Sequence, residues 1–170
     1  SERPDTCIVS PADANYVLAV GGIDTLGGWA WDPEAHQGAA IGPRGDSMRV
    51  DTIAFKPEVV APYYAYYMKS DGSALQPVYG AGTSVATALT AGLAALVLEA
   101  HPSWRNNPKK LRYVIMHTAS MAEQPNDTMG FGIPDAYKVI HYEPPEVTPT
   151  PLTRDRLLPP YPNPLRLSET

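Results

Sequence analysis

The 170-residue chain has a single cysteine, Cys7, so no disulfide can form within it. One cysteine says little about compartment, and Cys7 reads as a small buried or edge residue. Basic charge is also scarce. There are 13 Lys and Arg against 18 Asp and Glu, a formal net charge of −5. A nucleic-acid binder needs a basic stripe to displace counterions from phosphates, so no nucleic-acid partner is expected. Long apolar runs are missing as well. None reaches the ~18 residues of a membrane span. The best candidate, Ala86 to Ala100, is interrupted by Thr87, Thr90 and Glu99, so no membrane span is expected. The chain opens Ser-Glu-Arg-Pro-Asp, without Met and without an apolar leader, which reads as part of a longer protein. No His, Cys or carboxylate spacing suggests a metal site, and no cofactor is expected.

What is present suits one domain with a tail. Apolar residues make up 44% of the chain, enough for a core. Tyr16-Val17-Leu18-Ala19-Val20, closed by Gly21-Gly22, reads as a buried strand. Residues 24 to 57 are rich in Gly, Asp and Pro and read as loop with at most a short strand. Glu58 to Pro62 reads as a second strand, stopped by Pro62. Tyr63 to Tyr79 shows no clear period. Ser84 to Ala100 is apolar all round, the pattern of a helix buried inside a protein, and Pro102 ends it. Asn107-Pro108 is a helix-start signature. Leu111, Val114, Ile115 and Thr118 then mark the apolar face of a second helix. Asp135 can cap a last short helix through Ile140. From Tyr142 to Thr170 the chain holds eight of its 19 prolines, the composition of a stiff extended linker.

The chemistry centres on Tyr79-Gly80-Ala81-Gly82-Thr83-Ser84-Val85-Ala86, a Gly-rich loop running straight into the helix. Ser84 falls at the helix N-terminus. Unpaired backbone N–H groups there can donate to a developing oxyanion, and the helix dipole favours negative charge on the Ser oxygen. Gly82 allows close approach of a substrate backbone. A nucleophilic Ser still needs a base to take its proton. Judged on these residues alone, three readings stay open. Ser84 is a simple helix cap, a nucleophile, or part of a phosphate-binding turn. Against the third, no Lys follows Gly82, Val85 stands where a dinucleotide fingerprint has its third Gly, and Gln76-Pro77-Val78 is poor strand material.

Gly82-Thr83-Ser84-Val85-Ala86, with Gly92 further along, resembles the Gly-Thr-Ser-x-Ala nucleophile motif of the subtilisin-like serine peptidases. Other segments resemble that family in its order. They are Tyr16 to Gly21 with Asp24, Gly42-Pro43, Lys56-Pro57-Glu58-Val59-Val60-Ala61-Pro62, His101-Pro102-Ser103-Trp104, and Gly130-Phe131-Gly132 with Asp135-Ala136. The resemblance covers residues 9 to 140. It implies the C-terminal part of a three-layer α/β/α domain with a mostly parallel central sheet. It implies serine endopeptidase activity on polypeptides, with Ser84 as nucleophile, in a protein secreted or held at a bacterial cell surface. The family's other catalytic groups are an Asp, a His in a His-Gly-Thr-x-Val-Ala helix and an oxyanion Asn. All precede the nucleophile region, and nothing here fits them. The upstream half of the domain is therefore an expected partner, and the 170 residues alone are expected to be inactive. The alternative is a degenerate, non-catalytic domain of the same fold. Calcium is common in the family, but no ligands for it are assignable here.

The chain departs from the family in places. Ala88 stands where Pro is usual, Tyr63 where Gly is usual, and Gly38-Ala39-Ala40 replaces Phe-Ser-Ser. Asp24, His36 and Ser84 occur in the order of a triad. However, Leu26 breaks the Asp-Thr-Gly pattern, and too few residues separate Asp24 from His36 for the intervening strands. Asn15 lacks the small-Gly pair that precedes the oxyanion Asn. His101, His117 and His141 read as helix-end or surface residues. The expected division is thus a peptidase part over 1–141 and a linker over 142–160. Pro160-Tyr161-Pro162-Asn163-Pro164 resembles the start of a C-terminal sorting or β-sandwich domain over 161–170; further linker is the alternative.

Overall fold

The computed structural model describes residues 8, 10–14, 16–32, 37–42 and 55–143. Cys7, Asn15, His36, Pro43 and the Pro-rich stretch from 144 onward lie outside the described residues.

The central feature is a parallel pair. Strand β1 (Val20–Ile23) lies beside β4 (Val59–Pro62), with Val20 opposite Val59 and Ile23 opposite Pro62. The long helix α1 (Thr83–Ala100) packs against both strands. Two short antiparallel strands, β2 (Trp31–Asp32) and β3 (Gln37–Gly38), form a separate hairpin. Helices α2 (Pro108–His117) and α3 (Ala136–Ile140) complete the described part. Val59, Val97, Trp104, Val114, Ile115, Met116, Phe131 and Val139 form the core between these elements. A parallel pair joined by a crossover and covered by helices is the expected α/β arrangement.

The first strand is displaced from where the sequence pattern puts it. Tyr16 and Val17 are exposed, and the strand starts at Val20 and runs through Gly21-Gly22 instead of ending there. The glycines serve close packing. A Cβ on Gly21 would come within 2.8 Å of the Pro57 ring, and one on Gly22 would collide with the Tyr63 ring. The second strand and both cap signatures are where they are expected. Asn107 Oδ1 accepts the Lys110 N–H at 3.0 Å, and Asp135 Oδ1 accepts the Lys138 N–H at 3.0 Å.

Tyr63 to Tyr79, without period in the sequence, holds most of a long hairpin. Strand β5 (Tyr64–Ser70) pairs antiparallel with β6 (Leu75–Ala81), from Tyr64 opposite Ala81 to Ser70 opposite Leu75. Its residues are mostly exposed on both faces, so no inside–outside alternation was there to read. The tip is closed by Asp71, whose Oδ1 accepts from the Ser73 and Ala74 N–H groups at 2.9 and 3.0 Å and from Ser73 Oγ at 2.8 Å. These bonds, the Ala74 N–H first, lower the Asp71 pKa from 3.8 to about 2. A carboxylate depressed on folding contributes stability that is present above its unfolded value and lost as pH falls through its folded one. The turn is therefore expected to hold at pH 4 and to loosen as pH falls through about 2. The Ser73 and Ala74 amide resonances should report that midpoint, and Asp71→Asn should remove it.

The expectation that α1 is buried all round does not hold in this chain. Its buried residues are Ala86, Thr90 and Val97; Leu93 is half-buried against the core, and Leu96 is 53% exposed. A Cβ on Gly92 would meet nothing within 4 Å. The same helix bears weakly on the membrane expectation, since the core helix of a soluble protein can share its length and composition. At 18 residues and mean hydropathy 1.5, Thr83–Ala100 is long and apolar enough to cross a bilayer by length and composition. Thr90 interrupts the run less than its polarity suggests, because its hydroxyl donates to the Ala86 carbonyl at 3.0 Å.

Beneath the strands lies a buried ionic group. Glu58 is fully buried. Its Oε1 sits 2.6 Å from Lys56 Nζ and 2.7 Å from Arg112 Nη2, and its Oε2 accepts the Ala19 N–H at 2.7 Å. Lys56 Nζ also donates to the carbonyls of Ala14 and Val17, at 3.0 and 2.8 Å. The group ties the segment before β1 to β4 and α2. Gly130-Phe131-Gly132 runs alongside. Phe131 N–H donates to the Glu58 carbonyl at 2.7 Å, and Val60 N–H donates to the Gly132 carbonyl at 3.0 Å. Gly130 has φ 56 and packs so tightly on the Pro57 and Glu58 carbonyls that a Cβ would not fit.

Candidate active site

A chain of backbone hydrogen bonds brings Ser84 to the carboxyl ends of the parallel strands. Tyr63 N–H donates to the Ile23 carbonyl at 2.8 Å, and Gly82 N–H donates to the Tyr63 carbonyl at 2.9 Å. The start of α1 is thus fastened to the ends of β1 and β4, the edge where open α/β sheets bind ligands. Gly82 is the residue before the helix, with φ 144 and ψ 156. A side chain is strained in that conformation, which accounts for glycine.

Ser84 is the second helical residue and not the cap. No side chain caps α1. Val85 and Ala86 N–H share the Gly82 carbonyl at 3.0 and 3.4 Å. Among the described residues, nothing accepts from the Ser84 N–H and nothing bonds its Oγ. Ser84 is exposed and lines a cleft of about 490 Å3 with Ala65, Tyr66, Tyr67, Ala81, Val85, Ala88 and Leu89. A free hydroxyl and a free N–H at a helix N-terminus, facing an apolar cleft, suit attack on a carbonyl better than capping. The dinucleotide reading fails on topology, since β6 is one arm of an antiparallel hairpin and not a parallel strand feeding a helix.

The other candidates are not brought to Ser84. Asp24 Oδ1 accepts the Leu26 and Gly28 N–H groups at 2.8 and 2.9 Å, holding its own loop. His101 stacks on Trp104, and its Nε2–H donates to the Ile140 carbonyl at 2.6 Å. His141 closes α3, with Nδ1–H donating to the Tyr137 carbonyl at 2.8 Å. His117 ends α2 against Tyr113 and Phe131. Burial lowers its pKa, with Glu123 acting in the opposite direction. Among the described residues, no three His, Cys, Asp or Glu side chains come together as a metal site.

Residues 2–132 match the Subtilase family. The chain belongs to the subtilase family. The subtilase chain is similar to MycP1 from Mycobacterium smegmatis, at 26% identity and a TM-score of 0.60. That match covers 81% of this chain and 33% of MycP1. It is similar, at 27% identity and TM-score 0.60, to MycP1 from the ESX-1 type VII secretion system, covering 81% of this chain and 34% of that one. It shares its fold with EpiP, the epidermin leader peptide processing serine protease of Staphylococcus aureus. There the identity is 18% and the TM-score 0.55, with 77% of this chain and 32% of EpiP covered. The subtilase chain thus spans about a third of the length of these structures. Its α/β architecture is the subtilisin-like one, in part.

The motif placed Ser84 correctly at the start of α1. Sequence reasoning missed the tyrosines of β5 that wall the cleft, because the hairpin itself went unread. The signal that was present is the two runs of β-favouring residues flanking Asp71-Gly72-Ser73.

Proposed function

We propose that Ser84 is the nucleophile of a serine endopeptidase, secreted or held at a bacterial cell surface, that hydrolyses peptide bonds. Ser84 Oγ gives its proton to the base and attacks the scissile carbonyl; the C–N bond breaks as the base passes that proton to the leaving amine, and water then hydrolyses the acyl-enzyme ester, releasing the acid and restoring the Ser84 hydroxyl. The Ser84 N–H donates to the oxyanion. A His general base, an Asp that orients it and an Asn side chain as second oxyanion donor come from the part of the domain preceding these residues. The observation that carries the reading is the uncapped Ser84 hydroxyl at the second position of α1, beside its own unpaired N–H and over an open cleft. Family membership supports it. Calcium remains a proposed ligand of the complete domain, with no donor set assigned to it here.

The test is reaction with a fluorophosphonate probe. The complete chain should label at Ser84, and residues 1–170 alone should not, since a Ser without its base is a poor nucleophile. A complete chain that carries the Asp and His motifs and never labels would favour the non-catalytic alternative.

The exposed side of α1 supports the reading that a preceding half of the domain packs there. Leu89 and Leu96 are 47% and 53% exposed on a helix with mean hydropathy 1.5. Gly92→Ala distinguishes the two states. In the 170-residue chain the new methyl enters open space, and the substitution should stabilise the helix by about 0.5–1 kcal/mol. In the complete domain, where a neighbour covers Gly92, it should instead lower the unfolding midpoint. A gain in both would show that α1 stays uncovered there.

A further inference from the structure

We propose that Tyr63 is a positioning residue for the nucleophile, its seated ring locking the backbone link that aims the start of α1. The inference rests on the peptidase reading of Ser84. Gly82 is the loose point on the approach to Ser84. It precedes the helix, lies at φ 144 and has no side chain to hold it. No side chain caps α1, and its first turn hangs on the Gly82 carbonyl, which accepts from the Val85 and Ala86 N–H groups. The β5–β6 ladder ends one residue short, at Ala81. Glycine has more backbone freedom than any other residue, so the aim of Ser84 depends on what fixes Gly82. The Gly82 N–H donates to the Tyr63 carbonyl at 2.9 Å, and the Tyr63 N–H donates to the Ile23 carbonyl at 2.8 Å. The two backbone groups of Tyr63 thus link the end of β1 to the residue before α1.

The side chain holds that link in place. Tyr63 is half-buried, and its ring lies on Gly22 of β1. A Cβ at residue 22 would collide with Tyr63 Cδ2 and come within 3.1 Å of its Cβ and Cγ. Gly22 is absent from the chain's positive-φ glycines, so glycine there gives room to the ring and does not relieve the backbone. The ring also meets Tyr64 edge to face, with centroids 5.1 Å apart, and Tyr64 stacks on Tyr79 of β6 at 6.0 Å. Tyr63 therefore packs on both parts that Ser84 must be aligned with, strand β1 and the hairpin that runs into α1. It is not among the residues lining the Ser84 cleft, so it acts through Gly82 and not by touching substrate. Tyr63 stands where the subtilase family usually has Gly, which makes the seated ring a feature of this chain.

The test measures kcat and KM of the complete enzyme on a peptide, well below each variant's unfolding midpoint, with fluorophosphonate labelling as control. Tyr63→Ala should lower kcat by about 10–100-fold with KM nearly unchanged, since a small misplacement of a reacting group is enough for that. Tyr63→Phe should keep kcat, because the ring and not the hydroxyl makes the contacts. Gly22→Ala displaces the ring from the other side of the contact. It should lower kcat in the wild type and much less in Tyr63→Ala, where the methyl enters vacated space. If Tyr63→Ala does not fold, Tyr63→Leu, which keeps apolar volume but not a flat ring, should show the same loss of kcat. A wild type that does not label overturns the peptidase reading, and the role of Tyr63 with it. An enzyme that labels and keeps its kcat in Tyr63→Ala or Tyr63→Leu overturns the positioning role alone. A raised KM at unchanged kcat would put the ring on the substrate, and a lower unfolding midpoint at unchanged kcat would leave it a part of the core only. Either would equally overturn that role.

Discussion

Ser84→Ala in the complete chain is expected to abolish fluorophosphonate labelling and to lower peptidase turnover by several orders of magnitude, with the fold retained. The size of the effect follows from how such groups act. Nucleophile, base and orienting carboxylate work as a unit, so losing one costs nearly as much as losing all. What remains is the contribution of the oxyanion donors and substrate binding, which Ser84→Ala leaves in place because the residue 84 N–H is backbone. The fold should survive for a local reason. The Ser84 hydroxyl makes no hydrogen bond with the described residues, it does not cap α1, and alanine is the best helix former. A thermal unfolding midpoint within a few degrees of wild type would confirm that. Full peptidase activity in Ser84→Ala would remove Ser84 from the nucleophile role, whatever the labelling shows.

The second large effect is on stability. Glu58→Ala should destabilise the fold by about 3–5 kcal/mol, the cost of leaving buried charge uncompensated. Lys56 and Arg112 both face the Glu58 carboxylate, and their side chains are only 3% and 11% exposed. The Ala19 N–H would lose its acceptor too. Because a domain of this kind has only about 5–15 kcal/mol in total, the variant should unfold at much lower urea. A double variant, Glu58→Leu with Lys56→Met, removes two of the three charges and should recover part of the loss, since replacing buried ion pairs with packed apolar groups is often neutral. Equal urea midpoints for wild type and Glu58→Ala would mean that the group contributes specificity of packing and not stability.

The same residues show the border between sequence and structure. Lys56-Pro57-Glu58 was legible as part of a strand motif. That its carboxylate meets Arg112, 54 residues later, was not, because an ion pair between distant segments leaves no periodic trace. Gly130-Phe131-Gly132 was legible as a closing motif. That it pairs with Glu58 and Val60 depended on the parallel pair being built first.

Local signals determined what the sequence alone could determine. The Gly-Thr-Ser turn into an apolar run fixed where α1 begins, and Asn107 and Asp135 fixed the starts of α2 and α3, since capping is settled within four residues of chain. Tertiary structure decided the rest. It moved the first strand to Val20–Ile23, because only packing against Pro57 and Tyr63 gives Gly21 and Gly22 a reason to lie within a strand. It also assembled the Tyr64–Ala81 hairpin from residues with no buried face. And it showed which part of α1 these 170 residues bury, because burial depends on the neighbours a helix finds, whereas its hydropathy does not.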